Sequence, residues 1–346
     1  MVPSLAVADA LVEAGAEVTF IGTRERAEGR LVPAAGYEID YLAVRGMDRH
    51  NPIRAAEALA KAGLAVGAAR RLLRERRTDA VMGGGGYVAA PAGLAAIALR
   101  LPLVLTEADS HLGMTNRALA PRARRVCLAF PIPGRDGPRY LLTGRPVPAA
   151  IAAADRAAAR KRFGIAAGER CVLIFGGSLG ALTINRAAAE AFSPGGPGHA
   201  RDYHVIHITG SRDHDEVAAK LGGLECYTLL EYEPDLGDAL AASDLVLARA
   251  GGSVYELTAA GRPAILVPYP HATARHQHAN AEWMRRAGAA MVIEDGDLSP
   301  ARIAREVAEL LGDDERLRAM AAASRSLAKP DAAARIAAEI LSACPS

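Results

Sequence analysis

The sequence predicts an α/β protein of two Rossmann-like, doubly wound domains with a cleft between them. Three observations carry this expectation. Short apolar runs alternate with helical patterns along the chain, which reads as parallel βαβ units. The alternation restarts once, after Gly144-Arg145-Pro146-Val147-Pro148. And 346 residues exceed what one hydrophobic core usually supports.

The elements follow in order. Ser4 to Ala14 has helical apolar spacing, Gly15 sits where a helix C-cap belongs, and Glu17 to Gly22 is a short strand. Arg54 to Arg77 is a long Ala/Leu/Arg helix, Ala80 to Met82 a strand, Ala90 to Leu99 a helix and Leu103 to Leu105 a strand. After the Pro/Gly stretch come the strands 171–175, 203–208, 244–247, 264–267 and 290–293, each with a helical neighbour. Ser193 to Gly198 is a turn-rich insertion, and no solenoid repeat is present. The expected boundaries are 1–147, 148–328 and a terminal segment 329–346.

Composition bounds the function. Hydrophobic residues make up 51% and charged residues 23%, a globular balance. Residues 1–150 carry 20 Lys+Arg against 14 Asp+Glu, and the remainder 21 against 25. The basic half suits phosphate, nucleic acid, an anionic membrane or plain solvent, and charge alone does not choose. Cys127, Cys171, Cys226 and Cys344 are scattered, with no Cys/His spacing that builds a tetrahedral metal site, and read as reduced thiols. No signal-peptide pattern or apolar run of about 20 residues appears, so the expectation is a cytoplasmic protein, at most peripheral to a membrane.

Four strand-end turns carry the candidate chemistry, because open parallel sheets bind ligands at the carboxyl ends of their strands. Gly83 to Tyr87 and Gly176-Gly177-Ser178-Leu179-Gly180 each serve equally as a tight turn or as a ligand cradle, and neither has a dinucleotide-binding context. Arg249-Ala250-Gly251-Gly252-Ser253-Val254-Tyr255-Glu256 places donors at a helix start with a carboxylate on its first turn. That pattern suits a nucleoside diphosphate, although an acidic first turn also suits the helix dipole. In 268–281, Gln277 and Asn280 share one helix face and are placed to bond sugar hydroxyls. His271, His276 and His278 lack an HExxH-type arrangement, which makes a metal the weaker reading.

The blocks GGGGYVAAP (83–91), TEADSHLGMTNR (106–117), GGSLGALTIN (176–185), RAGGSVYELTAAGRPAILVPYP (249–270) and HQHANA (276–281) resemble the MurG family of GT-B glycosyltransferases in order and spacing. The resemblance implies an inverting transfer of N-acetylglucosamine from UDP-N-acetylglucosamine, held mainly by the second domain. It implies an undecaprenyl-linked muramyl-peptide acceptor, held mainly by the first, at the cytoplasmic face of an anionic membrane. No nucleic acid partner, cofactor or obligatory metal is implied. Ser178 and Asn185 match diphosphate-side and sugar-side contacts, Arg249 a phosphate or uridine-side residue, Glu256 the ribose acceptor and Gln277 a glucosamine hydroxyl contact. Gly177, Gly251, Gly252 and Ser253 match donors to the diphosphate. Tyr87, Glu107 and Asn116 match the acceptor side. The final helix, 331–345, matches one that crosses back to the first domain.

The sequence departs from the pattern in places. The family's first strand and GGTxGH loop do not precede Pro3, which would leave neighbouring strands without ladder partners. A misassigned start, or a degenerate copy that only binds UDP-sugar, accounts for this; another GT-B glycolipid transferase is the remaining alternative. Pro148 stands where an Arg often contacts the nucleotide sugar, with Arg145 near enough to compensate. Glu107 and Asp109 are candidates for the general base, for orienting it, or for capping the next helix; a histidine before Met1 would outrank both. Asp295-Gly296-Asp297 reads as loop. Arg70, Arg71, Arg74, Arg76, Arg77, Arg122, Arg124 and Arg125, with Leu59, Leu64 and Ile97, form the candidate membrane face.

Overall fold

The computed structural model describes residues 1–42, 52–177, 180–221, 223–272 and 275–344, with backbone alone over 52–62 and at Tyr87. The chain divides into two compact units, Met1–Pro148 with Lys329–Ser346, and Ala149–Ala328.

The first unit runs α1 (Val2–Glu13), β1 (Thr19–Gly22), α2 (Ala27–Ala34), β2 (Glu38–Tyr41), α3 (Pro52–Glu75), β3 (Val81–Gly83), α4 (Gly86–Leu99), β4 (Leu103–Glu107), α5 (Met114–Leu119), β5 (Arg125–Leu128) and β6 (Tyr140–Leu142). Gly15, at φ +87°, closes α1 in a left-handed conformation that costs glycine little. All strand pairs are parallel, and they form two sheets, β1-β2 and β3-β4-β5-β6. Among the described residues β1 and β3 each carry a single ladder. Their side chains nevertheless enter shared cores: Ile21 joins the cluster of Val81 and Leu105, and Met82, with Val18 just before β1, joins that of Val104. Leu103, Val104 and Leu105 are buried on both faces, the pattern of a covered parallel strand.

The second unit runs α6 (Ala149–Ala153), α7 (Arg156–Arg162), β7 (Arg170–Phe175), α8 (Leu182–Phe192), β8 (Tyr203–Ile208), α9 (His214–Leu221), β9 (Tyr227–Leu230), α10 (Leu236–Ala242), β10 (Leu245–Ala248), α11 (Val254–Ala259), β11 (Ala264–Leu266), α12 (His276–Arg286), β12 (Ala290–Val292), α13 (Pro300–Leu311) and α14 (Asp314–Ser326). Its sheet is continuous and parallel in the order β12-β11-β10-β7-β8-β9. The chain builds outward from β7 to β9 and then returns to lay β10 on the other side of β7. The β7/β10 boundary is therefore the topological switch point, where ligands bind in such sheets. Ser299 and Asp313 cap α13 and α14 by accepting the amides of Arg302 and Arg316. The last helix, α15 (Ala332–Leu341), belongs to the first unit, where Ile336 and Ile340 pack with Val7 and Leu11 of α1.

The candidate membrane face is changed by this packing. Arg76 is held by Glu38 and Asp40, and Arg125 by Glu339, so neither charge is uncommitted. Arg70, Arg71, Arg74, Arg77, Arg122 and Arg124 are exposed. Ile97 packs into the core, Leu64 is 75% exposed, and the Leu59 side chain lies outside the described residues. Leu94 and Met114 are exposed apolar residues on the neighbouring helices α4 and α5. No described helix is long and apolar enough to cross a membrane.

Candidate active site

At the switch point, the turn after β7 is shaped by glycines. A side chain at Gly176 would strike the Ala181 amide, and one at Gly180 the Thr209 carbonyl, so no larger residue fits either place. Gly177 has φ +101° and faces open space. Ser178 lies outside the described residues. Beside this turn, Gly251 and Gly252 lead from β10 to Ser253, the N-cap residue of α11, and their carbonyls accept the first amides of that helix. Glu256 stands on the first turn of α11, partly exposed, where the helix dipole favours a carboxylate.

Arg249 follows β10 and is tied inside the protein. Its side chain is only 9% exposed and pairs with Asp295 at 2.5 Å. It also donates to the Val267 carbonyl at 3.2 Å and to Thr183 Oγ1 at 2.6 Å, while Thr183 donates to Asp295 at 2.7 Å. The guanidinium therefore ties the loops after β10, β11 and β12 to the first turn of α8. Asp295, read from sequence as loop, is the carboxylate that fixes it. Thr183 and Asp295 lie 112 residues apart, and no local signal links them.

Asn185 is tied inside as well. It is fully buried: its amide nitrogen donates to the Thr209 carbonyl at 2.8 Å and to Asp213 at 2.9 Å, and its oxygen meets His207 Nε2 at 3.1 Å. His207 bonds Tyr227 through Nδ1, and burial pushes its pKa down to about 3, so it stays neutral with Nε2–H donating to Asn185. With its polar atoms engaged inside, Asn185 holds the loop after β8. Asn280 is 1% exposed and donates to the Ala250 and Gly251 carbonyls, which places it beneath the turn. Gln277 accepts the Tyr269 amide at 2.9 Å, and its Nε2 faces Gly251.

The first unit's candidate site sits at the end of β4. Glu107 is 7% exposed and receives three donors: the Asp109 amide at 3.2 Å, the Gly113 amide at 2.8 Å and Asn116 Nδ2 at 2.9 Å. It binds the loop 108–113 into one shape and keeps half-buried Asp109 upon it. Asn116 is buried on α5 beneath Gly85, whose φ of +80° brings the glycine loop close; it also donates to the Thr106 carbonyl. Arg145 lines a cavity of this unit with Ser4, Glu107, Ala129 and Gly144. The Tyr87 side chain lies outside the described residues. The Oδ1 atoms of Asn116 and Asn280 have no hydrogen-bond partner among the described residues, so each site retains one buried acceptor.

The glycosyltransferase family 28 N-terminal domain matches residues 1–128, and its C-terminal domain matches residues 171–336. A UDP-N-acetylglucosamine--N-acetylmuramyl-(pentapeptide) pyrophosphoryl-undecaprenol N-acetylglucosamine transferase of Halorhodospira halophila is 41% identical over 338 residues, covering 97% of this chain and 92% of its own length. The transferase of the same name from Moorella thermoacetica is 40% identical over 346 residues, covering 95% and 92%. The chain belongs to the MurG family. The crystal structure of Acinetobacter baumannii MurG superposes with a TM-score of 0.77 at 29% identity, covering 98% of this chain and 95% of that one. A putative UDP-N-acetylglucosamine 2-epimerase from Listeria monocytogenes, at TM-score 0.72 and 20% identity, shares the GT-B fold alone. The glycine turns and Glu256 lie at the carboxyl ends of strands. Asn185, Arg249 and Asn280 are buried and hydrogen-bonded to the loops around those turns.

Proposed function

We propose that this chain transfers N-acetylglucosamine from UDP-N-acetylglucosamine to the muramyl 4-hydroxyl of an undecaprenyl-diphosphate-linked muramyl-peptide, the step from lipid I to lipid II in peptidoglycan synthesis. The observation that carries this reading is the pair of adjacent strand-end turns, 176–180 and 251–253, at the switch point of a chain 41% identical to transferases of that name. The bond from acceptor oxygen to sugar C1 forms as the bond from C1 to the diphosphate oxygen breaks, with inversion at C1. The hydroxyl proton passes to a base, and UDP leaves.

Each residue has a part in the proposal. Amides of Gly177, Gly251 and Gly252, with the hydroxyls of Ser178 and Ser253, receive the diphosphate and stabilise its charge as it departs, with no obligatory metal. Glu256 accepts the ribose hydroxyls, and Gln277 bonds the glucosamine. Asn185, Arg249 and Asn280 are positioning residues. In the first unit Glu107 orients the loop that carries Asp109, and Asp109 is the carboxylate offered to the acceptor; Tyr87, Asn116 and Arg145 complete that side. The exposed arginines and Leu64, Leu94 and Met114 meet the anionic cytoplasmic leaflet that carries the acceptor.

The test is direct transfer of labelled N-acetylglucosamine to a lipid-linked muramyl-pentapeptide, with UDP release followed in parallel. Turnover with a stable β-linked product is expected. UDP binding without transfer would convert the reading to a UDP-sugar-binding remnant.

A further inference from the structure

At the opposite edge of the second unit's sheet from the nucleotide turns, three side chains from distant parts of the sequence converge. Glu169 precedes β7, His204 lies near the start of β8, and Cys226 precedes β9. A carboxylate oxygen, a ring nitrogen and the sulfur all lie within 4.8 Å of one another. His204 Nδ1 stands 3.8 Å from Glu169 Oε1.

Two of the three are aimed by a contact behind them. His204 Nε2 bonds Thr228 Oγ1 at 2.8 Å; with that N–H donating, Nδ1 presents its lone pair to the other two groups. Glu169 Oε2 accepts the Ala166 amide at 2.8 Å, leaving Oε1 toward His204. Cys226 adopts φ +55°, an uncommon conformation for a residue with a side chain, and is exposed to solvent. The nearby cations are engaged elsewhere: Arg160 on the carbonyls of Ala242, Ala166 and Glu169, and Arg201 over the rings of Phe192 and Tyr227.

We propose that Glu169, His204 and Cys226 form a binding site for a single zinc ion, with water as the fourth ligand, which cross-links the starts of β7, β8 and β9. Sulfur, imidazole and carboxylate together suit Zn²⁺ in preference to the hard cations that take oxygen alone. Tetrahedral zinc with metal–ligand distances of about 2.0–2.3 Å requires ligand atoms roughly 3.3–3.8 Å apart. The solvent-facing Cys226 and the half-buried Glu169 close the remaining gap, and Thr228 and Ala166 act as the outer contacts that orient ligands. As the sulfur–zinc bond forms, the thiol proton passes to solvent. The ion plays no part in the transfer reaction, because the site lies at the amino-terminal ends of the strands.

The test uses the whole, untagged protein titrated with Zn²⁺ alone, and with Co²⁺ as a spectroscopic substitute. One equivalent should bind and raise the melting temperature, and the cobalt form should show sulfur-to-metal charge-transfer absorption. Cys226→Ser should abolish that absorption and weaken zinc binding at least tenfold while melting like the parent without metal. Thr228→Val should weaken binding about 10–100-fold, the usual effect of losing an outer contact. Cys344→Ser should bind as the parent does. Failure of the parent to bind one equivalent, or binding untouched by Cys226→Ser, overturns the site.

Discussion

The two units hold their candidate sites by different means. In the second, six strands run without interruption and the loops beyond them are lashed together from below: Arg249 to Asp295 and Thr183, Asn185 to Thr209 and Asp213, Asn280 to the 250–251 backbone. In the first, the strands form two separate sheets and one carboxylate, Glu107, gathers a single loop. The contrast teaches that strand-end loops can be held by many buried ties or by one side chain. It also locates each site's weakness, in a distributed set of ties for the second unit and in one side chain for the first.

The largest expected effect comes from cutting the central tie. Arg249→Met leaves Asp295 nearly buried without its partner, and breaking such a pair costs about 3–5 kcal/mol. Denaturant unfolding should show that loss in the second unit together with weaker UDP binding, and Arg249→Met with Asp295→Leu should recover part of the stability but not the affinity. A stability unchanged from the parent would mean that the tie fastens nothing.

Glu256→Ala comes next. Two charge-assisted ribose bonds, each worth about 1.5–3 kcal/mol, disappear, and calorimetry should record a UDP affinity lower by roughly two orders of magnitude or more with folding intact. Equal affinity would remove Glu256 from the proposed site.

Glu107→Gln keeps the shape but turns a three-fold acceptor into a side chain with one acceptor oxygen and an amide that meets donors. The loop 108–113 should shift, and misplacement of about 1 Å costs about 100-fold in turnover. UDP affinity in the second unit should not change. If it falls equally, the two sites are not separable in this way.

Smallest is membrane docking. Exposed basic residues near an anionic leaflet contribute about 1 kcal/mol each. Arg76 and Arg125, already paired, should contribute little: Arg71→Gln or Arg122→Gln should weaken co-sedimentation with anionic vesicles more than Arg76→Gln does. Binding indifferent to lipid charge and salt would leave the apolar residues Leu64, Leu94 and Met114 as the sole anchors.

By itself the sequence determined the fold class, the strand-end turns and the family, because glycines at chain reversals, apolar alternation and the spacing of blocks such as 249–270 are local properties. It located β4 and β7, whose residues 103–105 and 171–175 are all buried, and passed over β2, β5, β6 and β9. Glu38–Tyr41 and Tyr140–Leu142 are short and only partly buried, so they carry little apolar signal. Which polar residues are tied down inside the protein was decided only by tertiary structure. Asn185 and Arg249 have the chemistry of ligand contacts, and nothing local distinguishes a guanidinium that meets a phosphate from one that meets Asp295, 46 residues further on. The same holds for Glu169, His204 and Cys226, whose spacing has no metal-site pattern: the parallel pairing of β7, β8 and β9 alone brings them together.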